Sequence, residues 1–369
     1  METEERARTY HRQRLCLSIA SFALTGTYFG ALLLTGAVGV LRDQLALITG
    51  RWWLQLLIAL AVLGCGHWLL TLPLAWLGGF WLPRRFGLLE QSFRLWLWDQ
   101  AKGVLVGGVL GLVGAEVVYA LLRTTPWWWL WASGAFLLAY VLLAWATPVF
   151  LLPLFYRLTP LGDTDLRDRL LRLAASAGVP ALGVWVADQS RKSRTANAAV
   201  VGFGHTRRVL LFDTLVTSLS TDEVEAVVAH ELAHQVHRDI GRGLLVQGAI
   251  TLMTFWAADH LLRVGTRWLG LTSAADLAGL PLFGLIVMGA GLIALPMGNG
   301  WSRHVERQAD DFAVRTVGDP SPFISAMQRL AVLNLAEQNP PPLTEFFLYS
   351  HPSIGRRVAR ARTLARSPG

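Results

Sequence analysis

Six apolar runs of about twenty residues or more divide this chain, and they leave it few folds to choose from. They cover residues 15–41, 52–82, 103–122, 127–154, 243–262 and 277–298. A bilayer core about 30 Å thick is crossed by roughly twenty helical residues, and in lipid a helix satisfies every backbone N–H and C=O within one segment. The predicted fold is therefore an all-α polytopic membrane protein with about six transmembrane helices. Composition agrees, since the chain is 53% hydrophobic and 16% charged, where soluble chains carry about a quarter charged residues. The second and fourth runs are long enough to tilt or to extend beyond the lipid. The first is too long for a signal-peptide core and lacks an evident small-residue cleavage site, so it is expected to be retained.

Basic residues set the expected orientation. Arg6, Arg8, Arg12 and Arg14 precede the first run, and Arg84, Arg85, Arg94 and Lys102 lie between the second and third. Of the 33 Lys and Arg residues, all but Arg42, Arg51, Arg123, Arg263 and Arg267 fall on one side. This asymmetry predicts a multi-pass protein with both termini and its polar blocks in the cytoplasm. The net charge of +8 then reflects topology and attraction to membrane lipid, and no nucleic-acid motif accompanies it. Trp52, Trp53, Trp127, Trp128, Trp129 and Trp131 fit an interfacial belt. Cys16 and Cys65, both in apolar runs, give no disulfide framework.

The polar stretches divide the chain further. An N-terminal membrane region, 1–155, carries four spans. A polar block at 156–240 follows, then two more spans at 241–300, then a C-terminal block at 301–369. In the first block, 165–177 has helical spacing and ends at Gly178-Val179-Pro180. Val184-Trp185-Val186 reads as a strand, and 196–201 with 209–212 flanks a hairpin turn at Gly202-Phe203-Gly204-His205, with His205 expected at the surface. The last block is helical by pattern up to Pro340-Pro341-Pro342.

Chemistry concentrates at His230-Glu231-Leu232-Ala233-His234. On a helix, residues four apart share a face, so both imidazoles can bind one metal with Glu231 beside them. The helix has its own start signal, because Ser220 and Glu223 form a capping box and Asp222, Glu223 and Glu225 favour the helix N-terminus. Nine His in 369 residues make this pattern a chance event in roughly one such chain in a hundred or fewer. Zn²⁺ held this way lowers the pKa of bound water to about 7. A third protein ligand is required. His237 lies about 10.5 Å along the axis from His230, too far for all three histidines to share one ion. A distal Glu is the usual alternative. Of Glu306, Glu337 and Glu345, Glu306 is best placed, on an expected helix at 302–317 with Asp310 one turn later to orient a histidine ring.

His230–His234 together with Ser302-Arg303…Glu306…Ala309-Asp310 and His351-Pro352-Ser353…Arg357 resembles the integral-membrane zinc endopeptidases that include the type I CAAX prenyl proteases. Arg85-Phe86-Gly87-Leu88…Gln91-Ser92-Phe93…Trp98-Asp99…Lys102-Gly103 is similar to a loop of that family, and Asn197-Ala198 resembles its substrate-lining strand. The resemblance spans about residues 50–365. It implies a helical membrane chamber capped by an α+β zincin-type domain with a small sheet or hairpin. It also implies cleavage of C-terminal tails of prenylated or other membrane-associated peptides. Eukaryotic members have seven spans against the six read here. On this basis His230, His234 and Glu306 hold one Zn²⁺, Glu231 is the general base, and Asp310 supports a ligand. His351 and Arg357 would stabilise the oxyanion or hold the substrate's carboxyl end, while Asn197 and Ala198 would bind substrate backbone. A heat-shock-type quality-control metalloprotease and a non-enzymatic scaffold with structural zinc are the alternatives. Glu116 and His67, inside spans, are expected to face a polar interior or to bond between helices. Asp259 and His260 are expected near the interface.

Overall fold

A computed structural model describes residues 2–202 and 207–366. The expected turn residues Phe203, Gly204 and His205 lie outside the described residues. The apolar runs form long helices: α1 (Glu2–Thr35), α3 (Trp52–Trp76), α5 (Phe93–Thr124) and α6 (Trp128–Ala146), with a short α2 (Ala37–Ile48) between the first two. The run read as one span over 15–41 is interrupted, because Gly36 adopts a left-handed conformation (φ 67°). Glycine takes this backbone at little cost, so it turns the chain where hydropathy alone shows no break. After α3 the backbone widens into a π-turn (Leu77–Trp81) and ends in α4 (Leu82–Arg85); α6 likewise passes through a π-turn (Thr147–Leu151) into α7 (Leu152–Phe155). Pro73 and Pro148 stand at or before these turns, and a proline cannot donate to the regular helical ladder.

A four-stranded sheet follows: β1 (Leu158–Pro160), β2 (Val184–Ala187), β3 (Ala198–Val201) and β4 (Arg208–Phe212), in the order β1-β2-β4-β3. β2 and β4 are parallel, and the two outer pairs are antiparallel. The expected strand at 184–186 and the hairpin pairing of β3 with β4 are both present. Helix α8 (Thr164–Ser176) and the short α9 (Asp213–Ser218) flank the sheet, and α10 (Thr221–Val236) carries the histidine motif. One apolar core joins sheet and helices, with Leu170, Val209, Leu211, Leu215 and Leu232 fully buried. Burying such side chains contributes roughly 1.5–3 kcal/mol each.

The chain then returns as α11 (Asp239–Trp268) and α12 (Leu280–Val317), followed by α13 (Pro320–Leu333), α14 (Pro342–Leu348) and α15 (Ile354–Arg366). Two details differ from the sequence reading. The sixth span and the expected helix at 302–317 are a single 38-residue helix that passes Pro296 without ending, and helices resume beyond Pro340. Among the described residues, five helical segments are long and apolar enough to cross a membrane: Glu4–Thr35, Trp52–Arg85, Phe93–Thr124, Trp128–Phe155 and Leu277–Val317. Helix α11 covers the remaining run and packs between α6 and α12.

Polar pins hold the end of the bundle away from the sheet. Arg42 grips Asp276 through both carboxylate oxygens at 2.9 and 2.8 Å. The Trp128 indole N–H donates to Asp259 at 2.7 Å, and Arg263 pairs with the same carboxylate at 2.9 Å. Trp128 and Asp259 are both buried against neighbouring helices, so at this end of the bundle they contact protein. His67 Nε2 lies 3.0 Å from Thr25 Oγ1 across α1 and α3, which favours the interhelical account of that histidine. Glu116 has one carboxylate oxygen buried and without a hydrogen-bond partner among the described residues.

Candidate active site

Helix α10 begins where its sequence says it should. Ser220 accepts from the Glu223 N–H, and Glu223 accepts from the Ser220 N–H, closing the capping box. Val224, Val227 and Val228 bury one face in the core, and this fixes the rotation of the helix. His230 and His234 then project together with ring centroids 5.1 Å apart. Glu306 reaches them from α12. One ligand atom from each of His230, His234 and Glu306 lies within 4.8 Å of the others, which fits a single metal ion.

The hydrogen bonds around the rings decide how they meet Glu306. His230 Nδ1 is 3.0 Å from Asp310 Oδ1, and His234 Nδ1 is 3.1 Å from Asp239 Oδ2. An ionised carboxylate can only accept, so each Nδ1 is the donor and each Nε2 is left turned toward the site. Those two Nε2 atoms sit 3.2 and 3.6 Å from the Glu306 oxygens. Three possible ligand atoms thus converge, and Glu306 Oε2 is buried with no hydrogen-bond partner among the described residues. A divalent cation resolves this arrangement, and imidazole, imidazole and carboxylate suit zinc.

The supports extend outward from the ligands. Arg357, buried on α15, bonds Asp310 through Nε at 2.9 Å and Nη2 at 2.6 Å, and its Nη2 is 3.3 Å from His230 Nδ1. The sequence reading placed Arg357 on the oxyanion or the substrate's carboxyl end. Its contacts instead lock Asp310 behind His230. Asp239 was not anticipated. Arg238 adopts a left-handed backbone (φ 55°), which ends α10 and swings the first residue of α11 back onto His234. Arg242 steadies it at 2.9 Å and also bonds Gln308 on α12 at 3.0 Å. His237, past the end of the motif, stands outside the three-ligand group.

Two further residues border the group. Glu231 follows His230, and burial pushes its carboxyl above the ordinary range. His351 has a side chain 58% exposed, with Nε2 3.3 Å from Glu306 Oε1 and Nδ1 2.9 Å from Ser350 Oγ. Desolvation by the groups around it lowers its pKa although part of the ring stays open to solvent. Arg303 fixes the approach to His351 by donating to the Glu345 carbonyl at 3.0 Å and to that of Tyr349.

Beside the histidines runs β3, the edge strand. Phe212 N–H donates to Asn197 C=O, so in the alternating antiparallel ladder Ala198 and Val200 turn their N–H and C=O away from β4. Asn197 folds its side-chain oxygen onto the Ala198 N–H at 2.9 Å, and Gln235 donates to Val200 C=O at 3.3 Å. The loop after α4 braces this region. Glu90 N–H donates to Lys192 C=O and Arg194 N–H donates to Leu88 C=O, while Asp99 holds Lys102, Lys192 and Gln91.

Known proteins share this plan. Residues 160–365 match the profile of peptidase family M48, and residues 1–157 match a profile described as CAAX prenyl protease N-terminal, five membrane helices. An uncharacterised metalloprotease of Bacillus subtilis is 30% identical over 305 residues, covering 81% of this chain and 71% of that protein. CAAX prenyl protease 1 of Saccharomyces cerevisiae is 29% identical over 326 residues, covering 82% and 71%. The crystal structure of Ste24p from S. mikatae superposes with a TM-score of 0.80 at 25% identity, covering 98% of this chain and 88% of that one. The chain therefore belongs to peptidase family M48, as a multi-pass integral membrane metallopeptidase related to CAAX prenyl protease 1.

Proposed function

We propose that this protein is a zinc endopeptidase facing the cytoplasm, which cleaves C-terminal tails of prenylated or other membrane-associated peptides. The observation that carries the reading is the convergence of two imidazole Nε2 atoms and Glu306, each ring held from behind by a carboxylate, with Glu231 on the same helix. Zn²⁺ bound by His230, His234 and Glu306 would polarise the scissile carbonyl and make water nucleophilic near neutral pH. Glu231 takes the proton of the attacking water and returns it to the leaving amine. Its raised pKa suits both halves of that exchange. His351, beside Glu306, donates to the developing oxyanion. Asp310 with Arg357, and Asp239 with Arg242, keep the two ligand rings from turning.

Substrate backbone adds along the outer edge of β3, where Ala198 and Val200 offer alternate N–H and C=O groups. Asn197 sets the start of that edge and must release the Ala198 N–H for pairing. The cytoplasmic orientation is supported by Arg42, Arg51, Arg123, Arg263 and Arg267, which lie at or beyond the helix ends remote from the metal residues. The polar blocks at 156–240 and 301–369 act as one protease module through the core shared by α10, α13 and α15.

The test compares purified wild type and E231Q on matched farnesylated and unmodified peptides, with and without chelator. Cleavage by the wild type that requires metal and vanishes in E231Q is expected, with farnesylated peptide preferred. Undiminished turnover by E231Q would remove the assigned base. Indifference to farnesyl would move the substrate class to unmodified membrane peptides, as a quality-control protease would take.

A further inference from the structure

One cavity lies far from the metal residues, at the opposite end of α11. That helix begins at Asp239 beside His234 and reaches Arg263 about 36 Å further on, at 1.5 Å per residue. The cavity encloses about 430 Å³ between the last turns of α11 and the turn that joins α5 to α6. That volume falls among pockets that hold small ligands, roughly 300–1,000 Å³. The two helices joined by this turn belong to segments able to cross a membrane, one ending at Thr124 and the other beginning at Trp128. The cavity therefore sits where lipid headgroups meet water.

Its polar groups are held from the protein side. Asp259, only 5% exposed, accepts the Trp128 indole N–H on one carboxylate oxygen and Arg263 Nε on the other. This grip aims the guanidinium through Nε and leaves its Nη groups without a hydrogen bond among the described residues. His260 is aligned too. Its Nδ1 donates to the Trp256 carbonyl at 2.9 Å, and its ring packs on the Trp256 indole with centroids 4.6 Å apart. Trp127 and Trp129, with centroids 6.1 Å apart, line the cavity from the start of α6. A tryptophan belt that merely anchors a bundle needs neither an enclosed volume nor a buried carboxylate that aims an arginine.

We propose that this cavity binds the headgroup of one zwitterionic phospholipid, with its phosphate on Arg263 and its ammonium against Trp127, Trp129 and Trp256. A guanidinium fork presents paired N–H donors to a phosphate, and indole faces attract ammonium groups. The Arg263 and Asp259 charges that line the cavity cancel. A headgroup carrying one charge of each sign matches that lining, whereas an anionic headgroup meets no surplus cation. The occupant is a membrane lipid and not a soluble phosphoester, because the site lies at the ends of two spanning helices. This recognition belongs to the bundle and is independent of the peptidase reading.

Native mass spectrometry of the full-length protein in detergent tests this, with dioleoyl phosphatidylethanolamine and dioleoyl phosphatidylglycerol as probes. The expected result is one phosphatidylethanolamine retained per chain, at least fivefold more tightly than phosphatidylglycerol. R263Q should bring the two lipids within twofold of each other. W127A/W256A should do the same. It alters two indoles that are 58% and 50% exposed and leaves the Arg263–Asp259 pair in place, so a folding defect confined to R263Q cannot imitate the result. Equal retention of the two lipids by the wild type would overturn the proposal and leave a general aromatic anchor. Tighter binding of phosphatidylglycerol, or a phosphatidylethanolamine preference that survives either variant, would also overturn it. So would equal binding of soluble glycerophosphoethanolamine, because the membrane would then not be the source of the ligand.

Discussion

The membrane helices and the metal-bearing module solve opposite packing problems with the same chain. In the module, apolar side chains point inward and one continuous core joins the sheet to α8, α10, α13 and α15. In the bundle, large apolar residues such as Leu105, Trp131, Leu138 and Ile293 point outward, where lipid is as apolar as they are. Internal burial there is confined to small clusters, one around Leu56 and Tyr119 and another around Trp128 and Phe255. Helices in lipid gain little from hiding leucine, so cohesion falls to close packing and interhelical hydrogen bonds. The bundle accordingly uses its buried charges, Asp259 and Asp276, as fasteners. The module already has its cohesion from the core, and buried charges such as Asp239, Glu306, Asp310 and Arg357 gather around its two motif histidines.

This contrast makes graded predictions. The largest effect belongs to chemistry alone. E231Q should lower kcat by about a thousandfold or more, with zinc stoichiometry and melting temperature unchanged; a large drop in melting temperature would mean that the residue is structural. Next, R357A leaves Asp310 buried without its guanidinium partner, with only His230 still bonded to it, which costs about 3–5 kcal/mol. Thermal unfolding should show the module melting earlier while detergent-exposed helices keep their helical signal. A uniform shift of both would erase the distinction drawn here. Third, D239N keeps shape but weakens the acceptor for His234 Nδ1, and metal affinity should fall about 10–100-fold, read by competition with a zinc indicator.

The smallest effects should come from the bundle. Removing the Trp128–Asp259 hydrogen bond with W128F should cost roughly 1 kcal/mol or less, as interhelical hydrogen bonds in membranes do. Metal affinity should stay at the wild-type value. A zinc-binding defect in W128F would show that the two regions are coupled more tightly than their separate cores imply.

Much of this was legible in the sequence, and what escaped has physical reasons. The histidine helix declared itself because Ser220, Glu223 and the valine stripe act within a few residues of one another. Glu306 was found by elimination, as few glutamates follow the motif. Asp239 was hidden because helical spacing stops applying at Arg238, whose left-handed turn folds the chain back. Strand β1, three residues long, has no pattern of its own and exists through its pairing with β2. Trp128 resembled its exposed neighbours Trp127 and Trp131 in sequence, and its partner lies 131 positions away. Gly36 broke a run that hydropathy reads straight through. Likewise, the bracing of 192–194 by the loop at 88–90 joins segments about a hundred positions apart.

Helix α12 runs without interruption from Leu280, at one end of the bundle, to Glu306 among the metal residues. At 1.5 Å per residue those positions are about 39 Å apart. Over such a lever, a swing of about two degrees at the remote end sweeps the carboxylate through about 1.4 Å, several times the ±0.2 Å that metal–ligand distances tolerate. A tilt imposed on the membrane end of this helix would therefore be carried to Glu306 along one unbroken backbone.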